Sequence, residues 1–266
     1  MKINFQETTT DLLTRISIHD KYGSKNIDKW MLQVLKLKPG LKILDVGCGS
    51  GKQCFSFFDE LKGLASIMGG DVSDELLSKA RTENTRRRTK IEFILLDFNN
   101  QFELSDNKFD LVSCCFAIYY AKDIPFTIKE MHRVLKPNGC LFTTGPMPEN
   151  KSVFYKIIEE ATGKQIPPMP GSSRYSSEIL TTLRNQFSRV EVNIFENPLV
   201  FKIADPFLAY TRASLSEDRK LWSSFFSEAD DFEKVMQKIT EVVNQHIAKE
   251  GKIVMTKVVG GFTALK

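Results

Sequence analysis

One carboxylate and three alternating glycines stand in a row early in the chain, as Asp45-Val46-Gly47-Cys48-Gly49-Ser50-Gly51. Glycines so spaced let the backbone approach a ligand without Cβ interference and take left-handed φ values. The run follows a short apolar stretch, Lys42–Val46, and precedes a helical pattern near Lys52–Glu60. It is therefore the first strand–helix turn of an α/β unit, where open sheets bind ligands. A second carboxylate, Asp71, lies 20 residues past Gly51. An acid at that distance is suited to accept from two ribose hydroxyls in charge-assisted hydrogen bonds. It is also favourable at a helix N-terminus, where the macrodipole attracts negative charge. A third, Asp97, ends the segment EFILLDFNN, where a strand-end Asx turn is the alternative.

Three other readings of the glycine run compete. A phosphate loop needs GxxxxGK[ST]; Gly51-Lys52 fits its end, but Val46 and Gln53 stand where glycine and a hydroxyl residue are required. A dinucleotide loop needs GxGxxG, and position 52 is Lys. A purely structural turn does not call for three alternating glycines, which are costly in backbone entropy.

The segment Ile43–Lys52, ILDVGCGSGK, resembles the first motif of class I S-adenosylmethionine-dependent methyltransferases, close to hhDhGCGTG (h apolar), with Ser50 for Thr. Companions follow in order: Asp71 in GGDVSDELLSKA, Asp97 in EFILLDFNN, the pair Phe109-Asp110, and Glu130–Gly139, EMHRVLKPNG, with Asn138 in place of Gly. The likeness spans about residues 40–145. It is nearest to the small-molecule branch, methyltransferase type 11, which includes the quinone-biosynthesis enzymes. It implies S-adenosyl-L-methionine as cofactor and S-adenosyl-L-homocysteine as product. It places Gly47 and Gly49, supported by Asp45, and Gln53 near the methionine part, Asp71 at the ribose, and Cys48, Gly51 and Val72 among the other cofactor-binding residues. Asp97 would accept from the adenine amino group, Phe98 would pack on the base, and Cys115 would pass near the sulfonium.

Methyl transfer from a sulfonium needs chiefly binding and orientation; a general base is needed for some acceptors, mainly hydroxyls. The candidates facing the acceptor are Tyr119, Tyr120 and His19. One of the two tyrosines is expected in the pocket and the other in the core. His132 and His246 read as structural. The (D/N)-P-P-(Y/F) motif of exocyclic-nitrogen methylation is missing after the fourth strand, and Cys114-Cys115 lacks the Pro-Cys context of pyrimidine-C5 enzymes. No cysteine spacing suggests zinc and no acidic triad suggests magnesium, so no metal is expected. The expected acceptor is a small molecule, methylated on oxygen, nitrogen or carbon by in-line displacement. An RNA or protein acceptor, or a non-catalytic S-adenosylmethionine-binding relative, is the alternative.

The elements that must position these residues alternate. Strands are expected at Lys42–Val46, Ser66–Gly70, Ile91–Leu96, Phe109–Cys115 and Cys140–Thr144, with helices between, one of them ending near Arg81. Alternation with right-handed crossovers implies a Rossmann-like, doubly wound, mostly parallel α/β sheet, seven-stranded in this family, with a helical cap and insertion. One methyltransferase domain is expected over 1–266: an N-terminal helical cap (1–40), a cofactor-binding core (41–145), substrate-side loops and a helical insertion (146–250), and a closing strand (251–266). Residues 146–174 read as an irregular loop around a short helix, and Gly260-Gly261 as a bulge. Phe232, Val235, Met236, Ile239, Val242, Val243 and Ile247 form one apolar stripe, read as core.

Composition agrees. The chain has 266 residues, 42% apolar and 26% charged, with a formal charge of +4; that charge is weak for a nucleic-acid binder, and none is expected. The cluster Lys79, Arg81, Arg86, Arg87, Arg88 and Lys90 reads as solvated surface. No apolar run is long enough to span a bilayer, and the N-terminus lacks a signal-peptide core. The five cysteines read as reduced thiols of a cytoplasmic protein, expected as a monomer or homodimer.

Overall fold

The computed structural model describes residues 9–214, 222 and 229–266. Its strands are β1 (Lys42–Val46), β2 (Ser66–Asp71), β3 (Glu92–Leu95), β4 (Phe109–Cys115), β5 (Leu135–Pro146), β6 (Arg189–Phe201) and β7 (Ile253–Leu265). They form one sheet in the order β3-β2-β1-β4-β5-β7-β6. The pairs β1–β2, β1–β4, β2–β3 and β4–β5 are parallel, and β5–β7 is antiparallel. β1 and β4 are buried along nearly their whole length, as parallel strands covered on both faces must be. Strand order reverses at β1, so the carboxyl end of β1 is the topological switch point.

The helices are α1 (Thr9–Tyr22), α2 (Ile27–Leu35), α3 (Lys52–Glu60), α4 (Asp74–Arg87), α5 (Ile124–Val134), α6 (Ser152–Thr162), α7 (Pro170–Ser173), α8 (Leu180–Gln186), α9 (Ala204–Ala213) and α10 (Ala229–Glu250). A π-helical stretch, Arg174–Ile179, joins α7 to α8.

Two compact units are present. The sheet unit comprises Ile27–Met147, Pro170–Phe195 and Val259–Lys266. Leu44, Val46, Val112 and Leu141 pack with Ile124, Ile128 and Met131 of α5 in one cluster. Ile43, Ile67, Leu111 and Phe142 pack with Met31 of α2 and Cys54 and Phe57 of α3 in another. The other unit comprises Met1–Asn26, Pro148–Met169 and Glu196–Val258. Its core joins Phe154, Ile157 and Ile158 of α6, Phe207 and Tyr210 of α9, and the α10 stripe: Met236, Ile239, Val242 and Val243 are buried, and Phe232, Val235 and Ile247 pack against them. The stripe is core, as its period indicated. The helical expectation for 204–250 holds over α9 and α10; residues 215–221 and 223–228 lie outside the described ones.

Several boundaries differ for physical reasons. β3 stops at Leu95 because its ladder partner, Asp71, is the last residue of β2. α4 runs past Arg81 to Arg87, its solvent face laced by Arg86–Glu83 and Arg87–Glu83 pairs, until Arg88 turns left-handed at φ 56°. The segment Lys136–Gly139 lies inside β5, with Asn138 at φ 62°. Residues 152–162 form a full eleven-residue helix. No bulge occurs at Gly260-Gly261: the β5–β7 register runs unbroken from Cys140↔Leu265 to Pro146↔Val259. These glycines instead admit rings. A Cβ on Gly261 would lie 2.6 Å from the Trp30 ring, and one on Gly260 would lie 3.1 Å from the Tyr175 ring.

Candidate active site

The three loop glycines are all left-handed, with φ of 70° at Gly47, 54° at Gly49 and 83° at Gly51. A side chain at any of them would be strained. Gly47 is crowded as well: a Cβ there would stand 2.6 Å from the Ala117 Cβ and 3.7 Å from the Phe98 ring. The loop is held down by the Gly47 and Cys48 amides, which donate to the Gly70 carbonyl at 2.8 and 3.0 Å.

Asp71 ties this loop to its neighbour. Its Oδ2 accepts from the Gly49 amide at 2.8 Å, and its Oδ1 accepts from the Ser73 amide at 2.9 Å. Ser73 caps α4 by accepting from Leu76 N. Each carboxylate oxygen keeps a further lone pair, because a carboxylate accepts at about four sites. Val72 beside it is 64% exposed, an apolar face left open at the carboxyl edge.

Asp45 is deeply buried. It accepts from the Ser113 hydroxyl at 2.6 Å and from the Cys54 thiol at 3.5 Å. Burial pushes its carboxyl up to about 6, against the lowering effect of Ser113. Asp45 thus braces the loop from beneath. The Cys48 and Cys54 sulfurs lie together under the loop, each within 3.0 Å of where a Cβ on Gly69 would stand. Gln53, in the first turn of α3, is 7% exposed, and its Nε2 is a buried donor with no hydrogen-bond partner among the described residues.

Asp97 lies two residues beyond β3. It accepts from the Asn99 amide and side chain at 2.9 and 2.8 Å and from Asn100 Nδ2 at 3.1 Å, so the Asx turn is present. Phe98 packs against the core with its ring facing Gly47. Cys115 ends β4, and burial pushes its thiol well up. Beyond it, Tyr119 and Tyr120 form a 3-10 turn with ring centroids 4.6 Å apart. Tyr119 packs against the core, and Tyr120 is 70% exposed. His19 belongs to the other unit, edge-on to Tyr210 at 5.4 Å. His132 packs edge-on to Phe187, and His246 pairs with Glu160 at 2.8 Å.

Within the sheet unit, every loop and strand-end residue singled out from sequence is therefore gathered at the carboxyl edge of β1, β2, β3 and β4. Ser113, which holds Asp45, carried no signal in its apolar strand.

Residues 37–184 match the family described as Methyltransferase domain. The chain belongs to that family. Among its relatives, the demethylmenaquinone methyltransferase of Chlorobaculum tepidum is 32% identical over 153 residues, covering 56% of this chain and 60% of that protein. The demethylmenaquinone methyltransferase of Bacillus cereus is 27% identical over 181 residues, 62% of this chain and 76% of that one. The chain thus spans about three fifths of the first relative. The YcgJ protein of Bacillus subtilis superposes with a TM-score of 0.58 at 13% identity, covering 90% of this chain and 97% of that one; the likeness is one of fold. The seven-stranded, mostly parallel sheet is the fold expected from the sequence. No helix among the described residues is long and apolar enough to cross a membrane, and no group of described residues could hold a metal ion.

Proposed function

We propose that this methyltransferase transfers the methyl group of S-adenosylmethionine to a small-molecule acceptor. The carrying observation is the Asp71 carboxylate, fixed by the Gly49 and Ser73 amides beside three left-handed glycines. That is a preorganised oxygen pair next to a backbone cradle, at the switch point of the sheet.

The residues present fit the cofactor. Gln53 Nε2 is a buried amide donor without a partner among the described residues, a costly state that a ligand carboxylate would relieve. Asp71 holds the ribose hydroxyls. Val72 and Phe98 cover the adenine faces, and Asp97 accepts from the exocyclic amine. Gly47, Cys48, Gly49 and Gly51 let the backbone come close to the methionine part, with Asp45 bracing them. Cys115 stands at the sulfonium end. When bound, the cofactor supplies a methyl group already activated by its sulfonium, so the chain's part is to align acceptor and methyl group and exclude water.

Tyr120 offers an exposed phenol at the carboxyl end of β4, and Tyr119 shapes the wall behind it. His19, edge-on to Tyr210, is the candidate base for a hydroxyl acceptor. Relatives named for demethylmenaquinone support the reaction class and a small acceptor. The basic residues of α4 favour no RNA reading: Lys79 pairs with Glu75, Arg81 with Asp74, Arg86 with Glu83 and Arg87 with Asp59. Incubation with methyl-labelled S-adenosylmethionine and a cell extract tests the proposal. Label is expected in the small-molecule fraction; label confined to RNA or protein would contradict it.

A further inference from the structure

Arg174 opens the π-helical stretch between α7 and α8. Such stretches are rare and recur at functional sites. Its neighbour Tyr175 fixes it firmly. The Tyr175 ring is fully buried, stacks on Phe262 at 4.4 Å, and fills the space above Gly145, where a Cβ would collide with it. Its hydroxyl donates to the Thr143 carbonyl at 2.8 Å. The turn is thereby pinned to β5 and β7, and Arg174 has a defined position.

From there, Arg174 Nη1 donates to the Tyr119 carbonyl at 2.9 Å, and Nε donates to Glu178 Oε2 at 3.2 Å. Nη2 has no partner among the described residues, and the side chain is 31% exposed. Tyr119 is the middle residue of the 3-10 turn Ile118–Tyr120, which follows Ala117, and the Ala117 Cβ lies against Gly47 of the glycine loop. A chain of neighbours thus runs from the cofactor cradle through Ala117 and Tyr119 to a guanidinium with one free edge. The Glu178 carboxylate is 45% exposed, so that pair is weak and easily exchanged for a ligand.

We propose that Arg174 binds an oxyanion of the methyl acceptor. The proposal rests on the methyl-transfer reading and narrows it: the acceptor carries a carboxylate or a phosphate. Paired with an acceptor oxyanion, the guanidinium is neutralised, and its planar fork orients the acceptor in a way that an ammonium would not.

The test is titration of the full-length protein with benzoate, phenyl phosphate and benzamide, with and without S-adenosylhomocysteine. At least one anion is expected to bind five-fold or more tighter than benzamide, and the tighter of the two identifies the oxyanion. In Arg174→Gln, which keeps an amide donor for the Tyr119 carbonyl, the preference should vanish while S-adenosylhomocysteine affinity stays within two-fold. Arg174→Lys should restore part of it. Anions bound no tighter than benzamide, or a preference that survives in Arg174→Gln, would overturn the proposal. Loss of S-adenosylhomocysteine binding in the wild-type protein would instead count against the methyl-transfer reading.

Discussion

The Asp71 carboxylate accepts from the Gly49 amide at 2.8 Å, so one side chain joins the loop after β1 to the end of β2. The same oxygens are the proposed ribose acceptors. Asp71→Ala should therefore weaken S-adenosylhomocysteine binding at least about ten-fold, near 1.4 kcal/mol, the scale of a charge-assisted hydrogen bond. Calorimetry reads this directly, and an unchanged affinity would remove the ribose role.

Gln53 separates affinity from stability. Its buried Nε2 has no partner among the described residues, and leaving a buried amide unpaired costs about 1–3 kcal/mol. Gln53→Leu should leave the ligand-free protein at least as stable in urea as the wild type, yet bind S-adenosylhomocysteine several-fold more weakly. A destabilised variant with full affinity would show the opposite role.

Asp45 gives a pH signature. Burial holds its carboxyl at about 6, above the ordinary 3.8, so the folded chain takes up this proton more readily than the unfolded chain. The stabilising contribution is full below the unfolded value and is lost as pH rises through the folded one. Against Asp45→Asn, which cannot titrate, the wild type should lose on the order of 3 kcal/mol of relative stability between about pH 4 and pH 7. Denaturant midpoints across that window check it, and a constant difference between the two proteins would contradict it.

Gly47→Ala meets two penalties, a φ of 70° and a Cβ 2.6 Å from that of Ala117. The variant should lose at least about 2 kcal/mol, since left-handed strain costs about 1–2 and overpacking about 1–3. The double variant Gly47→Ala with Ala117→Gly should recover the packing part alone. Full recovery would show that the backbone conformation carries no strain.

Much of this was legible in the chain because it is local. The strand–glycine–helix run and the acids at 71 and 97 are fixed by spacing along one α/β repeat, and the buried strands β1 and β4 match their apolar runs residue for residue. What was hidden depends on distant partners. Ser113 reaches Asp45 across neighbouring strands and carries no signal in an apolar segment. Gly260 and Gly261 looked like a break in pairing; they are clearances for Tyr175 and Trp30. The π-helical turn at Arg174 is set by Tyr175 seating on Phe262, which no periodicity within RYSSEI reveals.

The most direct test of the cofactor cradle is calorimetric titration of S-adenosylhomocysteine into the purified full-length protein, with Asp71→Ala alongside. Saturable binding at one site per chain, weakened in the variant, is the expected result. No binding to the wild-type protein, or equal binding to both, would contradict it.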